Sequence, residues 1–371
     1  MLGPNHAVLS PSRPEGEKAE HVRSGFGSER LLDKLCANFI IFVVNTAQVN
    51  AHVPTFSISI EWENVRFSEL NRTRKVLRQL RRELSGLAPL PEPPEVVFLY
   101  DRQAVDGDLV AQVVNEELLP QTIPVRTRFI ATDRLRYYEL KNFSAASIES
   151  EILVFLDCDV IPEQGWLAAL LEPFADPAVQ VVGGESYIDC EGLYSKALAL
   201  FWFAELRNEA SGLVPAGFFY ANNVAFRRQF FLTHPFPEVP AFRKQCTLLS
   251  EALRADGVEL LRQQRARVSH PCPRGLRNFA ASALHNGRDQ AIYADLRYGH
   301  NRRRWRMACG NYRNRLNYSF KRIADHHNEV SLGKAGAMGA FAIAFAYCSL
   351  RALGEAVSIV RPNLIQRLLP A

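Results

Sequence analysis

Two carboxylates at the end of a predicted strand are the residues of this sequence best suited to chemistry. An apolar run from Ile152 to Leu156 is followed at once by Asp157 and Asp159, with only Cys158 between them. Such a run is typical of a buried strand in a parallel sheet, and ligands bind at the carboxyl ends of strands in open α/β sheets. Two adjacent acids repel each other unless a cation lies between them. The pattern therefore predicts a site for a metal ion and a phosphate.

The elements that must position these acids alternate between strands and helices. Strands are predicted at residues 56–61, 96–100, 128–131, 152–156 and 179–182, with a late strand that approaches His270. Helices are predicted from Ser68 to about Leu84, and at 142–148, 194–205 and 248–253. This alternation predicts an α/β fold with a doubly wound, mostly parallel sheet.

Composition places the chain among ordinary folded proteins. It has 371 residues, 47% of them hydrophobic and 22% charged, enough for one large core or one core with an appendage. Residues 1–28 are rich in Pro, Gly and charge and lack the apolar region of a secretory signal, so they predict a disordered leader. We assign no role to residues 29–53. The α/β domain is predicted at 54–290, and a basic and apolar helical region at 291–371.

Two features of this C-terminal region suggest contact with a membrane or another anionic surface. The stretch Asn301–Arg322 contains seven Arg and one Lys but no acid, and aromatic residues are interleaved with them. Such a block suits membrane headgroups or nucleic acid, although a solvated helix face has the same composition. The apolar stretch Ala335–Leu350 has sixteen residues, short of the roughly 20 that span a bilayer. It predicts an interfacial or core-packed helix.

The seven cysteines are scattered without CxxC pairs, so neither a disulfide framework nor a zinc knuckle is indicated. A reducing compartment therefore fits the chain best. We predict a cytoplasmic protein held peripherally at the inner face of the membrane.

Several short motifs occur in a fixed order between residues 54 and 290. They are Ser57–Asn64 at the first strand, Asp101 after the second, Lys141–Asn142, Phe155–Asp159, Phe219–Arg228 and Ala266–His270. In this order they resemble the motifs of the family 2 glycosyltransferases, which have the A-type nucleotide-diphospho-sugar transferase fold. The DxD motif alone is weak support, whereas the ordered series is specific. The resemblance makes 54–290 the predicted catalytic domain.

The resemblance also implies roles for individual residues. Contacts to the nucleotide-sugar are implied for Glu61, Glu63, Asn64, Asp101, Lys141, Asn142 and Asp157, and acceptor-side positions for Asn222 and Asn223. Asp159 is the predicted metal ligand, Asp157 contacts the ribose or the metal, and His270 is the predicted third ligand. Carboxylates suit Mn²⁺ or Mg²⁺ and imidazole suits Mn²⁺ better, so the predicted cofactor is one of these cations, acting as a Lewis acid.

A structural role stays open for several of these residues. Asp157 and Asp159 also suit a solvated turn, and His270 a hydrogen-bonded position beside Pro271. Asp101 also suits a turn or helix cap, and the paired Asn222 and Asn223 a turn with left-handed backbone.

The sequence departs from the resemblance at the general base. Inverting members carry Glu-Asp before an apolar helix, where this chain has Gln245 and Cys246. Neither replaces a carboxylate, because Gln does not titrate and nothing ionises the thiol. Glu251 is the first alternative base and Glu185 the second. Otherwise the acceptor is acidic, for example a phosphate, or the domain binds without transferring.

The predicted function is metal-dependent transfer of a sugar from a nucleotide-diphospho-sugar to an unidentified sugar or lipid-linked acceptor. The resemblance favours inversion and a place in surface polysaccharide or glycoconjugate synthesis. The alternative is a degenerate sugar-nucleotide-binding protein. A nucleotidyltransferase would need a basic Gly-rich loop where Glu61–Asn64 stands. Nucleic-acid binding would leave Asp157 and Asp159 unexplained, so an anionic membrane is the predicted surface partner.

Overall fold

Short apolar segments pair into one sheet, and the predicted acids lie at the carboxyl end of one of its central strands. The computed structural model describes residues 54–66, 68–119, 123–299 and 303–369. The predictions for residues 1–28 and 29–53 lie outside these ranges. The described strands are β1 (Phe56–Glu61), β2 (Glu95–Asp101), β3 (Arg126–Thr132), β4 (Ile152–Asp157), β5 (Ile161–Pro162), β6 (Val181–Ile188), β7 (Leu213–Pro215), β8 (Asn223–Arg227) and β9 (Leu261–His270).

Helices cover both faces of the sheet and form the C-terminal region. They are α1 (Leu70–Ser85), α2 (Gly107–Glu117), α3 (Tyr137–Ser147), α4 (Trp166–Leu171), α5 (Leu193–Phe201), α6 (Arg228–Thr233), α7 (Gln245–Ala255), α8 (Gly275–Tyr298), α9 (Arg304–His326), α10 (Lys334–Val360) and α11 (Leu364–Leu368). One apolar cluster packs α1, α2 and α4 on one face of the sheet, and a second packs α3, α6 and α7 on the other. A third lies among α5 and α8 to α10.

The sheet is mixed, so the prediction of a mostly parallel sheet is met only in part. The strand order is β3-β2-β1-β4-β8-β6-β9-β5, with β7 paired to β9. Strands β3, β2, β1 and β4 are parallel, as are β6 and β9, but β8 runs antiparallel to both β4 and β6. The short strands β5 and β7 are antiparallel to β9. Buried central strands are apolar in either orientation, so the residue pattern does not reveal direction.

Several predicted boundaries move for local reasons. Helix α1 buries Leu77, Leu80 and Leu84, as its spacing predicts. Strand β6 continues through Gly183 and Gly184 instead of ending there. A Cβ on Gly184 would lie 2.2 Å from the carbonyl oxygen of Ala266, so this close approach requires glycine. Helix α5 ends at Phe201, and its predicted extension to Glu205 is irregular.

The C-terminal helices pack onto the α/β core. Helix α10 is longer than the apolar stretch that predicts it, because it continues past Arg351, whose guanidinium donates to Gln290 (3.2 Å). Its length and composition would allow it to cross a membrane. One of its sides packs on α5, α8 and α9, and the hydroxyl of Tyr347 accepts a bond from Trp202 Nε1 (2.7 Å).

Helices α8 and α10 cross in backbone contact. A Cβ on Gly287 would lie 2.0 Å from the carbonyl oxygen of Arg351, and a Cβ on Gly354 would lie 2.2 Å from that of Leu284. The domain boundary predicted at residue 290 falls inside α8, and residues 52–371 form one compact unit.

Candidate functional site

Asp157 is the centre of a buried polar cluster where β4 ends beside β1. Its Oδ1 accepts bonds from Lys141 Nζ and from the Tyr137 hydroxyl, both 2.8 Å. Its Oδ2 accepts bonds from Asn64 Nδ2 and from the same hydroxyl, both 2.9 Å. Tyr137 and Lys141 are four residues apart, so they share one face of α3. Both oxygens of Asp157 are therefore occupied by protein donors.

Glu61 completes this cluster from the end of β1. Its Oε1 accepts a bond from Asn64 Nδ2 (3.1 Å), and its Oε2 accepts one from the backbone N–H of Glu63 (3.0 Å). Burial, and then the charge of Asp157, raise the pKa of Glu61 well above its ordinary value. This shift favours the neutral form of Glu61, and Lys141 forms its ion pair with Asp157 (2.8 Å).

Asp159 is a buried acid with one carboxylate oxygen that has no hydrogen-bond partner among the described residues. It is 5% exposed, and the unpaired oxygen is its Oδ1. Burial, and then the charge of Asp157, raise the pKa of Asp159 to about 7. Buried acceptors are almost always paired, so an orphaned carboxylate oxygen at a strand end is typical of a ligand site.

The short strand β5 holds the segment after Asp159 against the end of β9, where His270 lies. It pairs with the end of β9 so that Ile161 lies opposite Ser269, which places the residues before it next to His270. Arg72 on α1 fixes this arrangement, because it donates to the carbonyl oxygens of Asp159 (Nε, 2.6 Å) and Ser269 (Nη2, 2.8 Å).

The imidazole of His270 is held in one tautomer. Its Nδ1 lies 2.7 Å from the carbonyl oxygen of Pro271, and since a carbonyl can only accept, Nδ1 carries the proton. Burial, and then the nearby charge of Arg243, lower the pKa of His270 to about 3. The ring is therefore neutral at physiological pH and keeps the lone pair of Nε2 for a ligand.

Asp159 and His270 both line a cavity of about 400 Å³. Asn64, Asp159, Arg243 and His270 line one part, and residues 277–285 of α8 line another. Asp159 Oδ1 and His270 Nε2 supply one carboxylate and one imidazole, a donor set that suits Mn²⁺. The predicted trio with Asp157 is not assembled, and the part of the chain that the structure describes has no group of three candidate metal ligands.

Other residues predicted at the nucleotide site form hydrogen bonds within the protein. Asp101 accepts a bond from the backbone N–H of Gln103 (2.9 Å) within its own turn. Asn142 exchanges two bonds with the backbone of Phe236, Nδ2 to O (2.9 Å) and N to Oδ1 (3.0 Å). Glu63 lines a small pocket of about 60 Å³ together with Asn142. The structure therefore places Glu61, Asn64, Lys141 and Asp157 in one cluster and leaves Asp101 outside it.

The two predicted acceptor-side residues are buried. Asn222 Oδ1 accepts a bond from the Ser186 hydroxyl (3.2 Å). Asn223 accepts from Trp166 Nε1 (2.8 Å) and donates to the carbonyl oxygens of Glu185 (3.0 Å) and Ala266 (2.9 Å). The Asn223 amide thus ties β8 to β6 and β9, and both side chains stay predictions as acceptor contacts.

The residues at the predicted base position cannot take a proton readily. Gln245 is buried, and its Nε2 donates to the carbonyl oxygen of Ala241 (2.9 Å). Cys246 Sγ lies 3.1 Å from the Tyr138 hydroxyl, and burial raises the pKa of this thiol to about 11.

The alternative bases are engaged elsewhere. Glu251 accepts bonds from the Tyr293 hydroxyl (2.6 Å) and from Arg297 (2.8 Å), and it does not line the cavity of Asp159. Burial raises the pKa of Glu185, whose charged neighbours include Arg262 and Arg267. It does not line that cavity either. The structure therefore brings neither of them to Asp159.

Three residues of the site were missed by sequence reasoning. Tyr137 could have been found from its spacing of four residues to Lys141. Arg243 precedes Gln245 by two residues, in a segment where the resemblance implies an acid. Arg72 is far along the chain from its partners Asp159 and Ser269, and no motif near Arg72 predicts these hydrogen bonds.

Comparison with known proteins shows a shared fold. No protein-family model and no curated protein matches the chain. A mannosyltransferase from Pyrobaculum calidifontis, solved with GDP-Man and Mn²⁺, superposes with a TM-score of 0.51 at 14% identity, over 83% of this chain and 87% of that one. GalNAc-T7, solved with UDP, GalNAc and Mn²⁺, gives 0.43 at 13% identity, over 66% and 52%. The α/β class is confirmed, and the chain has the fold of that mannosyltransferase.

Proposed function

We propose that this protein transfers a sugar from a nucleotide-diphospho-sugar to an acceptor with the help of a divalent cation. The observation that carries the proposal is Asp159, whose Oδ1 is buried and has no partner among the described residues, and which lines one cavity together with the neutral imidazole of His270. The shared fold with an enzyme solved with GDP-Man and Mn²⁺ supports the same reading.

The described residues divide into two functional groups. Asp159 and His270 would hold the cation, which when bound supplies Lewis-acid stabilisation for the charge that develops on the leaving diphosphate. Asn64, Lys141 and Tyr137 orient Asp157 and keep its charge compensated inside the protein. We assign Asp157 to positioning, and we keep a contact to the ribose as part of the proposal.

Membership of family 2, inversion and a role in surface polysaccharide or glycoconjugate synthesis are further parts of the proposal. They are supported by the ordered motifs in residues 54–290. Attachment at the cytoplasmic face of an anionic membrane is supported by the exposed Arg306, Arg313 and Lys321 on α9. Trp305 on the same helix is 50% exposed, and Phe345 on α10 is 51% exposed.

A thermal-shift panel of UDP-, GDP- and dTDP-sugars tests the proposal. With Mn²⁺ present, one nucleotide should raise the melting temperature, because a ligand at 100 times its Kd stabilises by about 2.7 kcal/mol. EDTA should remove the shift, and so should Asp159→Ala. The matched control Asp256→Asn, on an exposed residue at the end of α7, should behave as wild type. A nucleotide shift that survives both EDTA and Asp159→Ala would refute the metal assignment.

A degenerate nucleotide-sugar-binding protein is the second candidate. The observation that favours it is the pair Gln245 and Cys246, with neither Glu251 nor Glu185 lining the cavity of Asp159. Release of nucleoside diphosphate from the donor that binds separates the two functions. Tight donor binding without any release, either to water or to a panel of acceptors, would favour the binding protein.

A further inference from the structure

We propose that Arg243 binds a phosphate group of a substrate at the end of the cavity where the reaction takes place. This deepens the proposed function and rests on it for the identity of that phosphate. The donor diphosphate and a phosphate-bearing acceptor share the same chemistry, and the experiment below separates them.

The first observation is the setting of the guanidinium. Arg243 is exposed to the cavity that Asp159 and His270 also line. Its guanidinium carbon lies 4.8 Å from the centre of the Phe242 ring, and no carboxylate of the described residues lies within ion-pair distance of it. Desolvation inside the cavity lowers the pKa of Arg243, but nearby charges that include Asp157 and Asp159 raise it above its ordinary value. A guanidinium offers five N–H donors in a planar fork that matches phosphate oxygens. Arg243 is thus a cation whose donors are available to a ligand.

The second observation is that the protein fixes the segment carrying Arg243. Asp289 on α8 is 1% exposed and accepts bonds from the backbone N–H groups of Phe242 (2.8 Å) and Arg243 (2.6 Å). The adjacent Arg288, also buried, donates to the carbonyl oxygen of Pro240 (2.7 Å). A buried carboxylate and a buried guanidinium therefore hold residues 240–243 from α8. Such support is expected where a binding group must be held in place before its ligand arrives.

The third observation is the charge of this part of the cavity. Arg243 lies two residues before Gln245, in the segment where the resemblance places a carboxylate base. A positive charge here, in place of a negative one, favours an anionic group on the substrate. Asp159, whose Oδ1 is orphaned, lines the same cavity and suits the cation of a metal–diphosphate complex. Phosphate oxygens would then satisfy both groups together.

The absence of a base is explained if the phosphate belongs to the acceptor. An ionised phosphate oxygen then attacks the anomeric carbon, and the bond from that carbon to the donor diphosphate breaks. The leaving diphosphate takes the electron pair, and no proton has to be removed, because a phosphomonoester has its second pKa near 6. If the phosphate belongs to the donor, Arg243 instead neutralises charge on the leaving group.

Titration calorimetry with inorganic pyrophosphate and inorganic phosphate tests the assignment, with and without Mn²⁺. Arg243→Gln should weaken binding about ten- to hundredfold, the range for hydrogen bonds between charged groups. Arg243→Lys should recover part of this loss. Arg254→Gln, an exposed arginine on the neighbouring α7, is the matched control and should bind as wild type. Melting temperatures identify any variant that fails to fold.

The pattern of losses identifies the source of the phosphate. Loss of pyrophosphate binding in Arg243→Gln assigns the donor. Loss of monophosphate binding alone, measured with a saturating nucleoside diphosphate, assigns the acceptor. Unchanged affinity for both anions in a folded Arg243→Gln would overturn the inference while leaving the proposed function intact. Arg243-dependent anion binding in a protein that binds no nucleotide-sugar would overturn the proposed function instead.

Discussion

At the scale of single residues, the neighbouring acids Asp157 and Asp159 differ in how far the protein satisfies their hydrogen bonds. Asp157 accepts bonds from Asn64, Tyr137 and Lys141, whereas Oδ1 of Asp159 has no partner among the described residues. The sequence pattern predicts both positions, since it depends only on the end of a buried strand. It cannot assign their roles, because the donors to Asp157 come from other segments of the chain.

The unsatisfied charge of Asp159 predicts a gain in stability on its removal. Its pKa is about 7 when folded against an ordinary 3.8, so the folded state binds more protons between these values. The contribution of Asp159 to the stability of the metal-free protein should therefore fall as pH rises from about 4 to about 7. Asp159→Asn should raise the melting temperature of the metal-free protein at pH 8 by roughly 2 to 4 °C, and by less at pH 5.

Differential scanning calorimetry at the two pH values, with EDTA present, measures this effect. Asp256→Asn serves again as the exposed control and should show no pH-dependent gain. A loss of stability in Asp159→Asn at pH 8 would show that the carboxylate has a protein partner.

At the scale of secondary-structure elements, one methyl group added where α8 and α10 cross should lower the stability of the protein substantially. Gly354→Ala places a Cβ 2.2 Å from the carbonyl oxygen of Leu284, a contact that requires a backbone shift. We expect a loss of about 1–3 kcal/mol in the free energy of unfolding. Gly310→Ala on α9 meets nothing within 4 Å and should instead stabilise slightly, because alanine favours a helix.

Urea denaturation of the two alanine variants checks this prediction. Equal stability of Gly354→Ala and Gly310→Ala would mean that the two helices separate easily. The sequence predicts the apolar part of α10 but not its C-terminal end. Charged residues such as Arg351 and Glu355 mark the end of an apolar stretch, although they do not end the helix. Packing accommodates both, since Glu355 accepts a bond from Asn311 (2.7 Å). The antiparallel β8 was missed for a similar reason, because its direction depends on its neighbours in the sheet.

At the scale of the whole molecule, α9 and α10 present a mixed basic and apolar surface. Arg306, Arg313 and Lys321 are exposed on α9, and Met338 and Phe345 are exposed on α10 at 68% and 51%. Each cation near an anionic bilayer contributes about 1 kcal/mol, screened by salt. We therefore expect flotation with anionic liposomes at low salt, and loss of it when all three cations are changed to Gln.

Changing Lys75, Arg78 and Arg82 on α1 to Gln gives a control with the same loss of charge. Equal flotation with neutral and anionic lipid, or equal loss in both triple variants, would exclude this surface as the attachment site. The basic stretch Asn301–Arg322 is enough to predict an anion-binding surface from the sequence. The sequence could not show which side of α10 is exposed, because its Ala-rich pattern has little periodicity.

Under the proposed function, the backbone contact between Gly287 and Arg351 has a consequence for the direction from which an acceptor would arrive. Residues 277–285 of α8 line the cavity, and α10 is joined to α8 without intervening side chains at this crossing. Tilting α10 must therefore tilt α8 with it. A surface that holds the exposed side of α10 would then also set the angle of the cavity opening, so that attachment and the approach of the acceptor are governed by one rigid joint.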